Sequence, residues 1–303
     1  MFKEYFKFYK HVNSLEQQSN IIDFENEVNT EFMKPRILTS EFFNNDKEIL
    51  DNLGLKSNIS DWKCYDVLNV PGLIFIKNPF TSIGQKYWLK RCIADYTKKP
   101  NRLNIDAHRI LGDGEDWWTT TNKNGINLKL RDQLRWATLG YHHDWDTKVY
   151  SETAKSEFPM DLSKLSKTII KLLQFPDEFM AEAAIVNFYH PSSTLSGHTD
   201  HSEYNLSAPL LSISDYVSCS FGLSAIFLIG GHSLDDEPVA ILLRSGDTII
   251  MSKESRLCYH GVPKVLLPKN DQYFNYDNEL DEPFKSYMQV TRININVRQV
   301  NNV

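Results

Sequence analysis

The chain has 303 residues, 41% of them hydrophobic and 24% charged, with a formal net charge of -6. That balance fits a globular protein with a sizeable core, in one large domain or two small ones. It excludes a histone-like or polybasic binder, so any phosphate contacts must come from a local basic patch. Four cysteines, Cys64, Cys92, Cys219 and Cys258, stand far apart without a C-x-x-C pair. They read as free thiols in a reducing, intracellular setting, not as a disulfide framework or a zinc knuckle. No apolar run approaches the roughly 20 residues of a bilayer span, so no membrane association is expected.

The opening residues, Met1 to Lys10, are amphipathic, basic and aromatic. Glu4 and Glu16 weaken a mitochondrial transit reading, and a packing helix is expected instead. The first sixty or so residues look helical but irregular. Val70-Pro71-Gly72 then signals a turn ahead of a short strand, Leu73 to Ile76. Trp88, Leu89, Cys92, Ile93 and Tyr96 predict a helix over Gln85 to Lys98. A loop is expected from there through Trp117-Trp118 to about Gly125. Leu162, Leu165, Ile169, Leu172 and Leu173 mark a second amphipathic helix, closed by Pro176.

From Ala183 the texture becomes β-rich. Strands are expected at Ala184–Tyr189, Leu206–Ser214, Ala225–Ile229, Val239–Leu243, Thr248–Met251 and Met288–Val297. Gly230-Gly231, Ser245-Gly246-Asp247 and Gly261-Val262-Pro263 supply turns, and Pro268 to Glu282 reads as an exposed loop. Many short strands after a helical region predict an α+β protein with a double-stranded β-helix (jelly-roll) core buttressed by amino-terminal helices.

His198 and Asp200 lie two apart, and His260 follows sixty residues further on, a gap long enough to return through several strands. Two imidazoles and one carboxylate can hold one face of an iron(II) ion and leave the other positions open. An H-x-D pair alone is weak evidence, and a single histidine is more often structural. His190 and His201 stand nearby, but only His198/Asp200 precedes a suitable strand series. The final strand shifts the weighing. Arg292, Asn294, Asn296 and Arg298 share one face and Ile293, Ile295 and Val297 the other. An edge strand wetting its polar face is the plain alternative. Yet guanidinium forks match carboxylates, so this strand can grip a dicarboxylate beside the metal. Asn187 and Tyr189, also two apart, can complete its hydrogen bonds. The combination predicts a non-haem iron oxygenase that consumes 2-oxoglutarate.

Asn187-Phe188-Tyr189, His198-Thr199-Asp200, His260 and Arg292-x-Asn294-x-x-x-Arg298 together resemble the signature of the AlkB family of nucleic-acid dioxygenases. Pro71 to Ile76, Asn78-Pro79-Phe80, Leu134 to His142, Ser224 to Gly231 and Ser245-Gly246-Asp247 narrow the resemblance to the homologue 1 branch. It covers nearly the whole chain, departing from the family pattern at an apparent insertion near Asp215 to Ser220 that interrupts a core strand run. It implies that His198, Asp200 and His260 are the catalytic iron ligands, with Fe(II), 2-oxoglutarate and O2 as cofactor and co-substrates. It places Asn187, Tyr189, Arg292, Asn294 and Arg298 around 2-oxoglutarate, with Arg292 on the distal carboxylate. Trp118, Tyr141, His142 and His143 fall where that family meets its substrate base.

The resemblance further implies oxidative demethylation, with 1-methyladenosine in tRNA and a modified wobble cytidine foremost. Methylated adenine in single-stranded or unpaired DNA is the runner-up, and a histone or other protein is a substrate from a different class. A base must be single-stranded or flipped to be reached, and aromatic rings would stack on it. Core packing is the plain alternative for Trp117 and Trp118. Lys98, Lys99, Arg102, Lys123, Lys129, Arg131 and Arg135 form a basic stretch suited either to phosphate or to water. Within one catalytic domain, residues 1–68 are expected as a helical extension and 69–182 as substrate-recognition elements and supporting helices. Residues 183–303 are expected as the catalytic core. A monomer in the cytoplasm, mitochondrion or nucleus is expected.

Overall fold

The computed structural model describes residues 1–12, 20–25, 31–38, 46–123, 125–215, 223–267 and 280–301. The chain opens with α1 (Phe2–Lys10), β1 (Ile21–Ile22), β2 (Met33–Pro35), α2 (Asp46–Asn52), β3 (Lys63–Val67) and β4 (Leu73–Lys77). Next come α3 (Ser82–Lys90), β5 (Arg102–Leu103), α4 (Trp117–Asn122), α5 (Leu128–Gln133), β6 (Trp136–Gly140) and α6 (Met160–Leu172). The last part holds β7 (Ala183–Tyr189), β8 (Leu195–His198), β9 (Leu210–Asp215), β10 (Ser224–Ile229) and β11 (Val239–Leu243). It ends with β12 (Thr248–Met251), β13 (His260–Leu266), α7 (Phe284–Met288) and β14 (Arg292–Arg298).

The described strands form two sheets, β2-β3-β4-β12-β9-β14-β7-β6-β5 and β1-β11-β10-β13-β8. Strands distant in sequence alternate as neighbours, β12 beside β4 and β14 between β9 and β7, which makes a jelly roll and not a meander. Segment 1–68 lends β1 to the smaller sheet and β2 and β3 to the larger, and segment 69–182 lends β4, β5 and β6 to the larger.

Period-two patterning explains the layers. In β10, Ala225, Phe227 and Ile229 turn into the space between the sheets. Ile226 and Leu228 turn outward, where Phe2 and Tyr9 of α1 cover them. On the far side of the large sheet, Phe188 of β7 and Ile293, Ile295 and Val297 of β14 pack under Trp88, Trp117, Leu165 and Ile169. Burying such side chains contributes about 1.5–3 kcal/mol each. That anchors β14 firmly enough to carry charge on its other face.

Several expectations need correction. The first sixty residues are not only helical, since β1 and β2 join the two sheets. The expected loop from Lys98 to Gly125 contains β5 and α4, whose start is capped by the Asp116 side chain accepting from Thr119 N–H at 2.9 Å. Gly261-Val262-Pro263 is not a turn but the interior of β13. The register shifts there, and a Cβ on Gly261 would lie 2.7 Å from the Leu195 carbonyl oxygen. Proline and glycine are tolerated in a strand at such an irregularity. The expected strand over Met288–Val297 begins only at Arg292, because Phe284 to Met288 are helical. That strand is not an edge. It pairs with β7 on one side and β9 on the other. The insertion at Asp215 to Ser220 lies outside the described residues beyond Asp215, as do Cys219 and most of the Pro268 to Glu282 loop.

Candidate metal and co-substrate site

His198 ends β8 and His260 begins β13, and the two are direct partners in the antiparallel ladder. Directly paired residues carry their side chains on the same face at close range. Their rings accordingly lie 4.4 Å apart between centroids. Asp200 follows in the connection after β8, with carboxylate oxygens 3.8 Å from Nε2 of each histidine. One ligand atom from each of the three can be chosen so that all lie within 4.8 Å of one another.

The tautomers are fixed by the main chain. His198 Nδ1 lies 2.9 Å from the Ser196 carbonyl oxygen and His260 Nδ1 lies 3.1 Å from that of Cys258. A carbonyl only accepts, so each Nδ1 carries the proton and each Nε2 turns its lone pair toward the shared centre. Burial opposes charge on Asp200, but Arg298, His260 and His198 outweigh it and hold the carboxyl well below the usual carboxylate range. Burial, with His198 alongside, pushes the His260 imidazole down to about 4. The centre therefore offers an ionised Asp200 carboxylate and, at His260, a neutral imidazole, the protonation a metal requires of its ligands.

The polar face of β14 lies against this centre. Arg298 Nη2 donates to Asp200 Oδ2 at 2.8 Å, and its Nε lies 3.0 Å from Glu203 Oε1. Arg292, fully buried, pairs in register with Tyr189, whose phenol burial pushes up to about 12. Tyr189 is within electrostatic reach of both Arg292 and Asp200, which ties the two ends of the face together. Asn294 accepts from Ser212 Oγ at 3.2 Å and donates to Asn296 Oδ1 at 2.9 Å. Asn187 stands beside Asn294 in register, with Trp136 on its other side.

The four residues expected to meet a substrate base separate. Trp118 is 9% exposed and packs against Phe284 at 4.7 Å and Tyr287 at 5.6 Å. It shares a cluster with Phe188, Ile293 and Ile295, so it lies behind the large sheet, on the face away from His198, Asp200 and His260. Tyr141 is buried and bonded to Glu152, and it accepts from Asn301 at 3.2 Å. His142 bonds Thr138 at 2.9 Å, and burial followed by Arg102 pushes its imidazole down to about 4. His143 alone senses Arg298, Glu203 and Asp200. Its ring meets Trp145 at 4.7 Å, and Trp145 meets Trp136 at 5.2 Å. Trp145 is 49% exposed, so these rings form an aromatic rim beside the site.

The basic stretch is partly neutralised. Lys98 pairs with Asp95, Lys99 with Asp106 and Arg131 with Asp132, while Arg135 bonds Ser193. Arg102, Lys123 and Lys129 are exposed.

Comparison with known proteins places this geometry. The profile of the 2OG-Fe(II) oxygenase superfamily matches residues 72–298. The chain belongs to that superfamily. Human nucleic acid dioxygenase ALKBH1 is 38% identical over 270 residues, 80% of this chain and 67% of that protein. DNA N(6)-methyladenine demethylase ALKBH1A of Arabidopsis thaliana is 32% identical over 87% of this chain and 85% of its own length. The tRNA demethylase abh1 of Schizosaccharomyces pombe is 35% identical over 78% and 82%. A solved structure of OsALKBH1 shares the fold with a TM-score of 0.51, at 21% identity, over 76% of this chain and 97% of that one. The protein is thus an ALKBH1-type oxygenase that uses Fe(II), 2-oxoglutarate and O2.

The residues present fit those groups. Two imidazoles and a carboxylate suit Fe(II) with open positions. Arg298 Nη1 is buried without a hydrogen-bond partner, and a carboxylate of 2-oxoglutarate would satisfy it. Sequence reasoning missed Glu203, Arg256, Trp136 and Trp145 around the oxygenase centre. Trp136 is readable from its place on β6 opposite Asn187 only once the pairing is known. No helix among the described residues is long and apolar enough to cross a membrane.

Proposed function

We propose that this oxygenase removes methyl groups from ring nitrogens of nucleic-acid bases, with 1-methyladenosine in tRNA as its principal substrate. Oxidation of a modified wobble cytidine would be a related reaction. His198, Asp200 and His260 would hold the iron, and Arg298 and Arg292 would grip 2-oxoglutarate, with Tyr189, Asn187 and Asn294 alongside. When bound, iron and 2-oxoglutarate activate O2. Together they would supply the oxidation that converts the N-methyl group to formaldehyde, 2-oxoglutarate leaving as succinate and CO2.

The observation that carries the nucleic-acid reading is the aromatic rim of His143, Trp145 and Trp136 beside the iron-binding residues. A base must leave its stack to reach an enclosed centre, and an exposed indole gives it a new stacking partner. Each such contact contributes about 1–3 kcal/mol and tolerates different bases. Exposed Arg102, Lys123 and Lys129 are suited to the accompanying phosphates. Likeness to a tRNA demethylase over most of both chains favours RNA. Likeness to a DNA N(6)-methyladenine demethylase supports unpaired methylated DNA as the second reading.

Mass spectrometry of nucleosides tests this after aerobic incubation with Fe(II), 2-oxoglutarate, and total tRNA or methylated single-stranded DNA. Loss of 1-methyladenosine, or oxidation of wobble cytidine, in tRNA is expected. Change in DNA alone would move the assignment to the second reading. No change in either, with 2-oxoglutarate still consumed, would move it to a protein substrate.

A further inference from the structure

A buried ion pair stands behind the iron-binding residues. Glu203 and Arg256 keep only 1% and 2% of their side-chain surface exposed. Glu203 Oε2 accepts from Arg256 Nη2 at 3.0 Å, and its Oε1 lies 3.0 Å from Arg298 Nε and 3.5 Å from the Tyr150 hydroxyl. Arg256 spends its other donors on main chain: Nη1 on the Asp200 carbonyl at 2.6 Å and Nε on the Ala208 carbonyl at 3.2 Å.

Two consequences follow. Asp200 lies past the end of β8, where no ladder hydrogen bond fixes it, and Ala208 lies near the start of β9. One guanidinium bonded to both carbonyls clamps the connection between those strands. Meanwhile Glu203 holds Arg298 Nε and Asp200 holds Nη2, which fixes the rotation of the guanidinium and leaves the buried Nη1 without a partner. A buried ion pair is a poor device for stability, since apolar residues of the same volume often do as well. As a device for holding ligands in place it is apt.

We infer that Glu203 and Arg256 are positioning residues: together they preset the Asp200 main chain and the Arg298 fork for metal and 2-oxoglutarate. This rests on Asp200 being an iron ligand. The test is a charge-neutral double variant, Glu203→Gln with Arg256→Met. Its melting temperature is measured, along with calorimetric titration of the apo protein by Mn(II) and the KM for 2-oxoglutarate. Expected is a melting temperature close to wild type, Mn(II) affinity weakened by about 10–100-fold, and a raised KM. A folded variant with both affinities indistinguishable from wild type would overturn the inference and leave the pair a support of the fold alone. Should the double variant not fold, Arg256→Lys keeps the charge but cannot span the three acceptors. It is expected to weaken Mn(II) binding, and unchanged binding overturns the inference equally. Mn(II) binding of the wild type that survives His198→Ala would instead overturn the ligand assignment, and the inference with it.

Discussion

Around His198, Asp200 and His260 the side chains are held at several points each. Both imidazoles are oriented by carbonyl oxygens, and Asp200 is gripped at its side chain by Arg298 and at its carbonyl by Arg256. The rim is built otherwise. His143, Trp145 and Trp136 meet through ring faces and edges, Trp145 is half exposed, and His143 Nδ1 is buried without a partner. Ring contacts have broad minima, whereas buried charge-assisted hydrogen bonds do not. The iron end is therefore preorganised for one chemistry, and the rim can adapt to the shape of a base.

Four substitutions sharpen or break this contrast. The largest effect is expected from His198→Ala, which removes a proposed iron ligand from a partly exposed position. It should abolish 2-oxoglutarate turnover while thermal melting of the apo protein stays near wild type. Retained turnover would show that His198 is not needed for the metal. Next, Trp118→Ala should cost about 3–5 kcal/mol of stability in chemical denaturation, as expected for a buried indole, and leave the KM for nucleic acid unchanged. A raised KM with unchanged stability would move Trp118 to the rim.

Trp145→Ala should do the reverse. Its stability should change little, and affinity for a methylated single-stranded oligonucleotide should fall by about 1–3 kcal/mol, the value of one stacking contact. Fluorescence anisotropy would read this directly. The smallest effect concerns His142. Its imidazole is pushed below its ordinary value of about 6.5, to about 4, by burial and by Arg102. Folding thus favours the neutral ring, and that contribution is full above about pH 6.5 and lost as pH falls toward 4. His142→Gln should flatten the difference in denaturation midpoint across that window. A slope equal to wild type would show that another group titrates there.

The iron end is the part most legible from sequence. H-x-D and the arginine-asparagine strand are local patterns whose period already states which side chains share a face. Their partners were not legible, because Glu203 and Arg256 have no spacing that announces a contact between a loop and a distant helical turn. The two tryptophan pairs teach the same lesson. Trp117-Trp118 and Trp136/Trp145 are alike in composition, yet one pair is inside and one at the rim. Burial is decided by which face of β7 and β14 each meets. Likewise Gly261-Val262-Pro263 carries the residues of a turn, but tertiary pairing with β8 and β10 makes it a strand. The jelly roll itself was readable because short apolar runs such as Ala225 to Ile229, buried on both faces, are separated by turn residues such as Gly230-Gly231.

The most direct measurement is the coupling between 2-oxoglutarate consumption and formaldehyde release on a single-stranded RNA carrying 1-methyladenosine, for wild type and Trp145→Ala side by side. Wild type should yield succinate and formaldehyde in equal amounts. Trp145→Ala should yield less formaldehyde at low RNA and recover as RNA is raised. Succinate formed by the wild type without formaldehyde, at any RNA concentration, would contradict the account of an iron centre whose rim presents a methylated base.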